Sequence, residues 1–288
     1  MISLASSTPV LRVATRTDTG LRRAQNEDWF LAADPCYLVA DGMGGYDAGS
    51  EAARTAIAAF SEEFTAPAPA TLERIEAALE RARRDVARLA AGTERGAGCT
   101  LTGVIRIVHA GVPTWYVLNI GDSRVYLLRE GRLQQLTRDH SLHSELLGVG
   151  STSAHLAPRN VITRALGSTD TRHDAWLLPI EAGTRLLICS DGLTTEVDDE
   201  QLRAELGAGG APEAVGDALL QRALEAGGRD NITLIVADVV SGGVSQDPAA
   251  PAGAHPDASA DGTGDGGPDD DTIERTRPVR DRSAGHAR

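Results

Sequence analysis

The sequence predicts an α+β domain, rich in antiparallel sheet and flanked by helices, over residues 1–240 of the 288. Apolar strand-like runs in the middle of the chain are joined by glycine-containing turns short enough for hairpins. Amphipathic helical stretches stand before and after them. A segment of that length buries a large core as one domain, of α/β or β-sandwich type.

Taken in order, residues 37–40 are an apolar run ending at Asp41, and residues 50–64 read as a helix that buries Ile57, Phe60 and Phe64. In the next helix Leu72, Ile75, Leu79, Ala82, Val86 and Leu89 recur at steps of three and four. Glu73, Glu76, Glu80, Arg83, Arg84 and Arg88 form its solvated opposite face, and Thr71 is its N-cap. Strands at 99–109 and 115–120 make a hairpin about Ala110-Gly111, and 124–129 turns at Glu130-Gly131 into another strand. Residues 186–189 run into Asp191. Helices over 200–206 and 212–226, the second opened by Pro212, precede a strand over 232–240.

Composition changes at residue 241. Between residues 244 and 271 there are seven aspartates, four prolines and no basic residue, so little apolar surface is available to offset the entropy of ordering. Residues 241–288 are expected to form a disordered acidic tail with a basic end, where Arg275, Arg277, Arg280, Arg282 and Arg288 face only Glu274 and Asp281.

The net charge of −13, the 3% aromatic content and the lack of a basic stripe in the domain exclude a general nucleic-acid platform. All 28 basic residues are Arg, which excludes a Walker phosphate loop and a lysine nucleophile. Cys36, Cys99 and Cys189 are too far apart in sequence for a metal clip and read as small core residues. The N-terminus lacks the pattern of a signal peptide, and no apolar run approaches the roughly 20 residues that span a bilayer. The expected compartment is the cytoplasm, without membrane attachment.

Three acidic glycine turns carry the chemistry: Asp41-Gly42-Met43-Gly44-Gly45, Ser190-Asp191-Gly192-Leu193 and Gly228-Arg229-Asp230-Asn231. Each sets a carboxylate at the end of an apolar run beside a glycine that permits close approach. A donor set of oxygens favours Mg²⁺ or Mn²⁺ over Zn²⁺. The chain therefore reads as a metal-dependent hydrolase.

Eight segments in order carry a further resemblance. They are 18–28 with Arg23 and Asn26-Glu27-Asp28, the Asp41 turn, Gly98-Cys99-Thr100-Leu101, Gly121-Asp122-Ser123-Arg124, 136–141 with Asp139-His140-Ser141, 159–167 with Arg164-Ala165-Leu166-Gly167, the Asp191 turn and 228–233. This series resembles the motifs of the type 2C metal-dependent protein Ser/Thr phosphatases (the PPM family), with a bacterial flavour in Asn26-Glu27-Asp28 and Met43. The resemblance implies a four-layer α-β-β-α sandwich, two antiparallel sheets flanked by helix pairs. It also implies that Asp41 bridges two Mn²⁺ or Mg²⁺ ions, that Gly42 adds its carbonyl, and that Asp191 and Asp230 complete the first ion's shell. Glu27 would serve the second ion through water, and Asp122, with Asp191, a third and weaker ion. Arg23 matches the arginine that grips the substrate phosphate; Asp28 and Asn231 match supporting residues.

Two ions bridged by Asp41 would lower the pKa of a shared water to hydroxide, which attacks the phosphoryl group directly and in line, with no phosphoenzyme. The planar, permanently charged Arg23 suits two phosphate oxygens. The implied substrates are phosphoserine and phosphothreonine in proteins, opposing bacterial Ser/Thr kinases, and the expected state is a monomer. Two other readings are a regulatory module that has lost turnover, disfavoured because every expected carboxylate is present, and a two-metal phosphodiesterase or nuclease, disfavoured by the acidic charge.

Two departures stand out. Met43 replaces a histidine proposed as general acid in many eukaryotic members, so leaving-group protonation is expected from another source, such as a water on the third ion. The stretch between Asp139 and Arg164 is short and has Leu156-Ala157-Pro158 in place of a His-Pro pair. His140 and His143 could share a helical face, but no metal role is expected of them.

Overall fold

The structure is a computed structural model and describes residues 7–44, 48–65, 68–94, 96–151, 153, 156–158 and 161–244. The expected tail from residue 245 onward lies outside the described residues, as do Gly45, Arg159 and Asn160. The elements in chain order are β1 (Ser7–Asp18), β2 (Trp29–Ala33), β3 (Cys36–Ala40), β4 (Gly42–Met43), α1 (Ala48–Glu63), α2 (Leu72–Ala91), β5 (Gly98–Cys99), β6 (Leu101–His109) and β7 (Val112–Ile120). They continue as β8 (Arg124–Arg129), β9 (Arg132–Gln135), α3 (Leu142–Gly148), β10 (Asp174–Pro179), β11 (Arg185–Cys189), α4 (Asp191–Thr194), α5 (Asp199–Gly207), α6 (Pro212–Ala226) and β12 (Ile232–Gly243).

Two antiparallel sheets result, ordered β1-β12-β11-β8-β9 and β10-β7-β6-β3-β2, with a small β4-β5 ribbon. Side-chain alternation explains why they stack. On β3, Tyr37 and Val39 point into the space between the sheets, while Cys36, Leu38 and Ala40 point to the helical layer. On β11, Leu186 and Ile188 face inward and Leu187 and Cys189 outward. Strands apolar on both faces must be covered on both. The central core includes Trp115, Val117, Val125 and Ile235. Helices α1 and α2 cover the outer face of one sheet through Ala56, Phe60, Ile75, Leu79 and Val86, and α4–α6 cover the other through Leu193, Leu202 and Leu219. The architecture is the expected four-layer α-β-β-α sandwich.

Local chemistry sets the connections. Ala110-Gly111 and Glu130-Gly131 both have positive φ (48° and 80°, 51° and 76°), the twist a two-residue hairpin needs. Thr71 caps α2, accepting from the Arg74 amide, and Asp198 with Gln201 forms a capping box on α5. All three cysteines are buried and unpaired, as expected of core residues.

Several elements differ from the sequence expectation. The sequence reading did not anticipate β1 and β10; both are edge strands, mostly half-exposed, so their apolar signal is weak. The first helix begins two residues earlier than expected, at Ala48. Leu72, assigned to the buried stripe of α2, is 39% exposed because it stands on the first turn. The opposite face of α2 is only partly solvated, since Arg83 donates to the Thr171 carbonyl and lies against His173. Strand β12 runs three residues beyond Val240 to Gly243, where Gly242 and Gly243 adopt φ of 81° and Gly243 pairs with Ser7. Among the described residues no helix is long and apolar enough to cross a membrane.

Candidate metal centre

The acidic turns gather at one end of the sandwich because strands β3, β7, β11 and β12 all present a loop there. Asp41 follows β3, Asp122 follows β7, Asp191 follows β11 as the first residue of α4, and Asp230 precedes β12. Thr100, between β5 and β6, joins the first two turns. Its Oγ1 accepts from the Asp41 amide at 2.9 Å and pairs with Ser123 Oγ at 2.9 Å, while its own amide donates to the Asp41 carbonyl at 2.9 Å. Gly121 packs against the same threonine so closely that a Cβ would lie 2.5 Å from Thr100 Cγ2. The β11 and β12 turns also interlock. A Cβ on Gly192 would lie 1.9 Å from the Asn231 carbonyl oxygen, so α4 can begin there only with glycine.

Loop 19–27 is held over the cluster by Asn231. Its Nδ2 donates to the Thr19 and Gln25 carbonyls, both at 2.9 Å, and its Oδ1 accepts from the Glu27 amide at 2.9 Å. This fixes Arg23 and Glu27 at the mouth. Gly42 is pressed between the Glu27 and Gly49 backbones, where a Cβ would lie 2.6 Å and 2.3 Å from their carbonyl oxygens. Beneath the mouth, Asp28 is buried and accepts from Ser190 Oγ at 2.8 Å.

The electrostatics are those of crowded carboxylates. Burial, then the nearby Asp191 and Asp230, push Asp28 up to about 7 against the pull of the Ser190 and Thr233 hydroxyls. Burial, then Asp191 and Asp139, push Asp122 up to about 7 as well. Asp41 is raised by burial and by Asp28, Asp191, Asp122 and Asp230 together. Asp191 is raised by burial and by Asp230. Asp28 Oδ1 and Asp122 Oδ1 are buried with no hydrogen-bond partner among the described residues, a costly state for a carboxylate. Arg23 answers part of the charge, its Nη2 donating to Asp230 Oδ2 at 2.6 Å. Asp230 is drawn to Arg23, and no three Asp, Glu, His or Cys side chains of the described residues converge on one point.

A hard divalent cation fits this site. The donors are all oxygens, Asp122 Oδ1 is buried without a partner among the described residues, and the mutual repulsion is what a cation removes. Burial pushes the Cys36, Cys99 and Cys189 thiols up, so none is a thiolate nucleophile.

The profile of the protein phosphatase 2C family matches residues 22–226. The chain belongs to the protein phosphatase 2C family. This phosphatase 2C chain is 39% identical over 249 residues to the serine/threonine protein phosphatase PstP of Mycobacterium tuberculosis, covering 82% of this chain but 46% of that one. It thus spans about half the length of that relative. It is 37% identical over 240 residues to the serine/threonine phosphatase Stp of Listeria monocytogenes, covering 77% of this chain and 94% of that protein. Among solved structures, the catalytic domain of PstP in complex with two manganese ions aligns at a TM-score of 0.73 and 35% identity, over 81% of this chain and all of that one (100%).

Within this phosphatase 2C domain, the turns bearing Asp41, Asp122, Asp191 and Asp230 gather at one end of the sandwich, close enough for the other three to raise Asp41, with Arg23 on Asp230 and with Glu27 beside Gly42. The sequence reading left the roles of Asp28 and Asn231 open and assigned none to Thr100 or Ser190. Each sits inside one of the motifs, and Asp28, Ser190 and Asn231 stand beside a carboxylate, but a hydroxyl or an amide announces no partner until the loops meet. Met43 pairs with Gly98 in the β4-β5 ribbon and is half-buried. His140 and His143 do not share a helical face, because α3 starts only at Leu142. His140 is instead buried below the Asp122 turn.

Proposed function

We propose that this chain is a metal-dependent protein phosphatase that hydrolyses phosphoserine and phosphothreonine in proteins. The observation that carries the reading is the carboxylate cluster itself: side chains from four separate turns are crowded together at the cost of raised pKa values and orphaned oxygens. Asp41, Asp191, Asp230, the Gly42 carbonyl and Glu27 would hold two Mn²⁺ or Mg²⁺ ions, and Asp122 with Asp191 a third, weaker one. When bound, such ions supply Lewis acidity, lowering the pKa of a coordinated water and offsetting charge on a phosphoryl group.

The chain's own residues do the rest. Arg23 stands half-exposed at the mouth, tethered through Asp230 among the described residues, and can turn to a phosphate once that carboxylate is otherwise engaged. Asn231 orients the loop that carries Arg23 and Glu27. Thr100 keeps the Asp41 and Asp122 turns in register, so both carboxylates meet the same substrate. The relatives' names, which are those of serine/threonine phosphatases, support a phosphoprotein substrate. On this reading the enzyme acts as a monomer in the cytoplasm and opposes Ser/Thr kinases.

The test is turnover of a phosphothreonine peptide by the full chain. Activity should require Mn²⁺ or Mg²⁺, vanish in EDTA and return on adding the metal back, and Asp41→Asn should fall to background with an unchanged circular dichroism spectrum. Full turnover after rigorous chelation would defeat the reading.

A further inference from the structure

We propose that His140 is a positioning residue for Asp122: it holds both peptide groups of Gly121 while its far ring nitrogen is anchored to Asp174. The inference rests on the reading of Asp122 as a ligand of the weaker ion, and it adds to that reading the residue that fixes this ligand's turn.

The imidazole is 3% exposed and touches none of the clustered carboxylates. Its Nδ1 accepts from the Gly121 amide at 3.1 Å, and the His140 amide donates back to the Gly121 carbonyl at 2.9 Å. Gly121 has φ of 112° and no room for a Cβ against Thr100, so this residue is held through its peptide groups, and its carbonyl also accepts from Asn119 Nδ2 at 3.1 Å. With the Nδ1 lone pair engaged, the ring proton is assigned to Nε2, which lies 3.1 Å from Asp174 Oδ2 and 3.2 Å from Arg164 Nη1. Arg164 Nη1 donates to the other oxygen of Asp174 at 3.0 Å. Asp174 is accordingly held below the usual carboxylate range, chiefly by its bond to His140.

The neighbouring residue secures the other end of the turn. Asp139 receives Arg124 through Nε at 3.0 Å and Nη2 at 2.8 Å. Asp122 therefore stands on a four-residue turn whose two ends are fastened by consecutive residues, one through a ring and one through a carboxylate. Asp122 Oδ1 makes no hydrogen bond of its own, so its placement depends on that backbone. This is the part an outer-shell group plays for a metal ligand: it sets the direction of the donor without touching the ion.

Asn and Gln separate the two sides of the ring, because an Asn Oδ1 reaches the Nδ1 position and a Gln amide reaches the Nε2 position. Mn²⁺ is titrated calorimetrically into the full chain carrying His140→Asn, His140→Gln or Asp122→Ala. His140→Gln should weaken the weaker Mn²⁺ site about tenfold and leave the tight sites within about twofold, whereas His140→Asn should stay close to the parent. In the metal-free protein, exchange of the Gly121 amide should accelerate in His140→Gln and not in His140→Asn. Equal loss in both variants would mean that ring packing, not the acceptor, matters, and would overturn the proposal. If Asp122→Ala abolishes the weaker site while His140→Gln leaves it intact, only the role of His140 falls. If Asp122→Ala leaves that site intact, the ligand assignment falls and this inference with it. Nitrogen-15 NMR of the unsubstituted protein guards against variants that fail to fold: a proton found on Nδ1 overturns the proposal outright.

Discussion

Arg23 and Asp230 show how one side chain can serve two masters. The guanidinium is half-exposed and bound to a carboxylate that the proposed first ion also needs. On the proposed reading, neutralising that carboxylate with a cation would free the arginine for phosphate. Arg23→Ala should therefore raise KM for a phosphothreonine peptide by about 10- to 100-fold, the worth of a charge-assisted hydrogen-bond pair, with a smaller effect on kcat. Mn²⁺ affinity should not fall, because the substitution removes a competitor for Asp230. Steady-state kinetics and Mn²⁺ titration check both halves; an unchanged KM would remove Arg23 from the substrate site.

At the scale of elements, the site depends on how closely α4 and the loop before β12 approach. Gly192 lies within the first turn of α4 and its missing Cβ is replaced by the Asn231 carbonyl. Gly207, at the end of α5, has nothing within 4 Å of where a Cβ would stand. Gly207→Ala should be neutral or stabilise by about 0.5–1 kcal/mol through the unfolded chain. Gly192→Ala should lower the melting temperature and abolish turnover, since Asp191 and Asp230 are driven apart. Urea denaturation and peptide turnover of the two variants decide the matter. Equal behaviour would show that the tight approach carries no weight.

For the molecule as a whole, the carboxylate cluster sets a pH dependence. Asp28 and Asp122 titrate at about 7 in the fold, against about 4 for an unfolded aspartate. Between those values the folded state binds more protons, so stability falls as pH rises. Arginine-paired carboxylates act oppositely: Asp170, held at about 2 chiefly by its bond from Arg172, contributes stability that is lost as pH falls below about 4. The metal-free protein should thus melt highest at about pH 4 and lose stability toward pH 8. Mn²⁺ at 100 times its Kd adds about 2.7 kcal/mol, or roughly 5–10 °C in a domain of this size, and should flatten the alkaline slope. Calorimetric melts across that range, with and without Mn²⁺, test it; a metal-free Tm that rises toward pH 8 contradicts the cluster's electrostatics.

The sequence by itself determined the donor chemistry, because an aspartate beside a glycine at the end of an apolar run can be read within five residues. It likewise determined the Ala110-Gly111 hairpin, the stripe of α2 and the order of the motifs, all products of turn geometry and side-chain period. Only the tertiary structure decided which turns meet. Asn231 binds loop 19–27 across more than 200 residues of chain, Thr100 joins the Asp41 and Asp122 turns, and β12 pairs with β1 from the far end of the domain. Edge strands β1 and β10 took their place from such pairing and not from a strong apolar alternation of their own. The reason is physical: a local preference is encoded in neighbouring residues, whereas the partner of a buried hydroxyl, amide or imidazole exists only after the sheets have stacked and the loops at their ends have closed together.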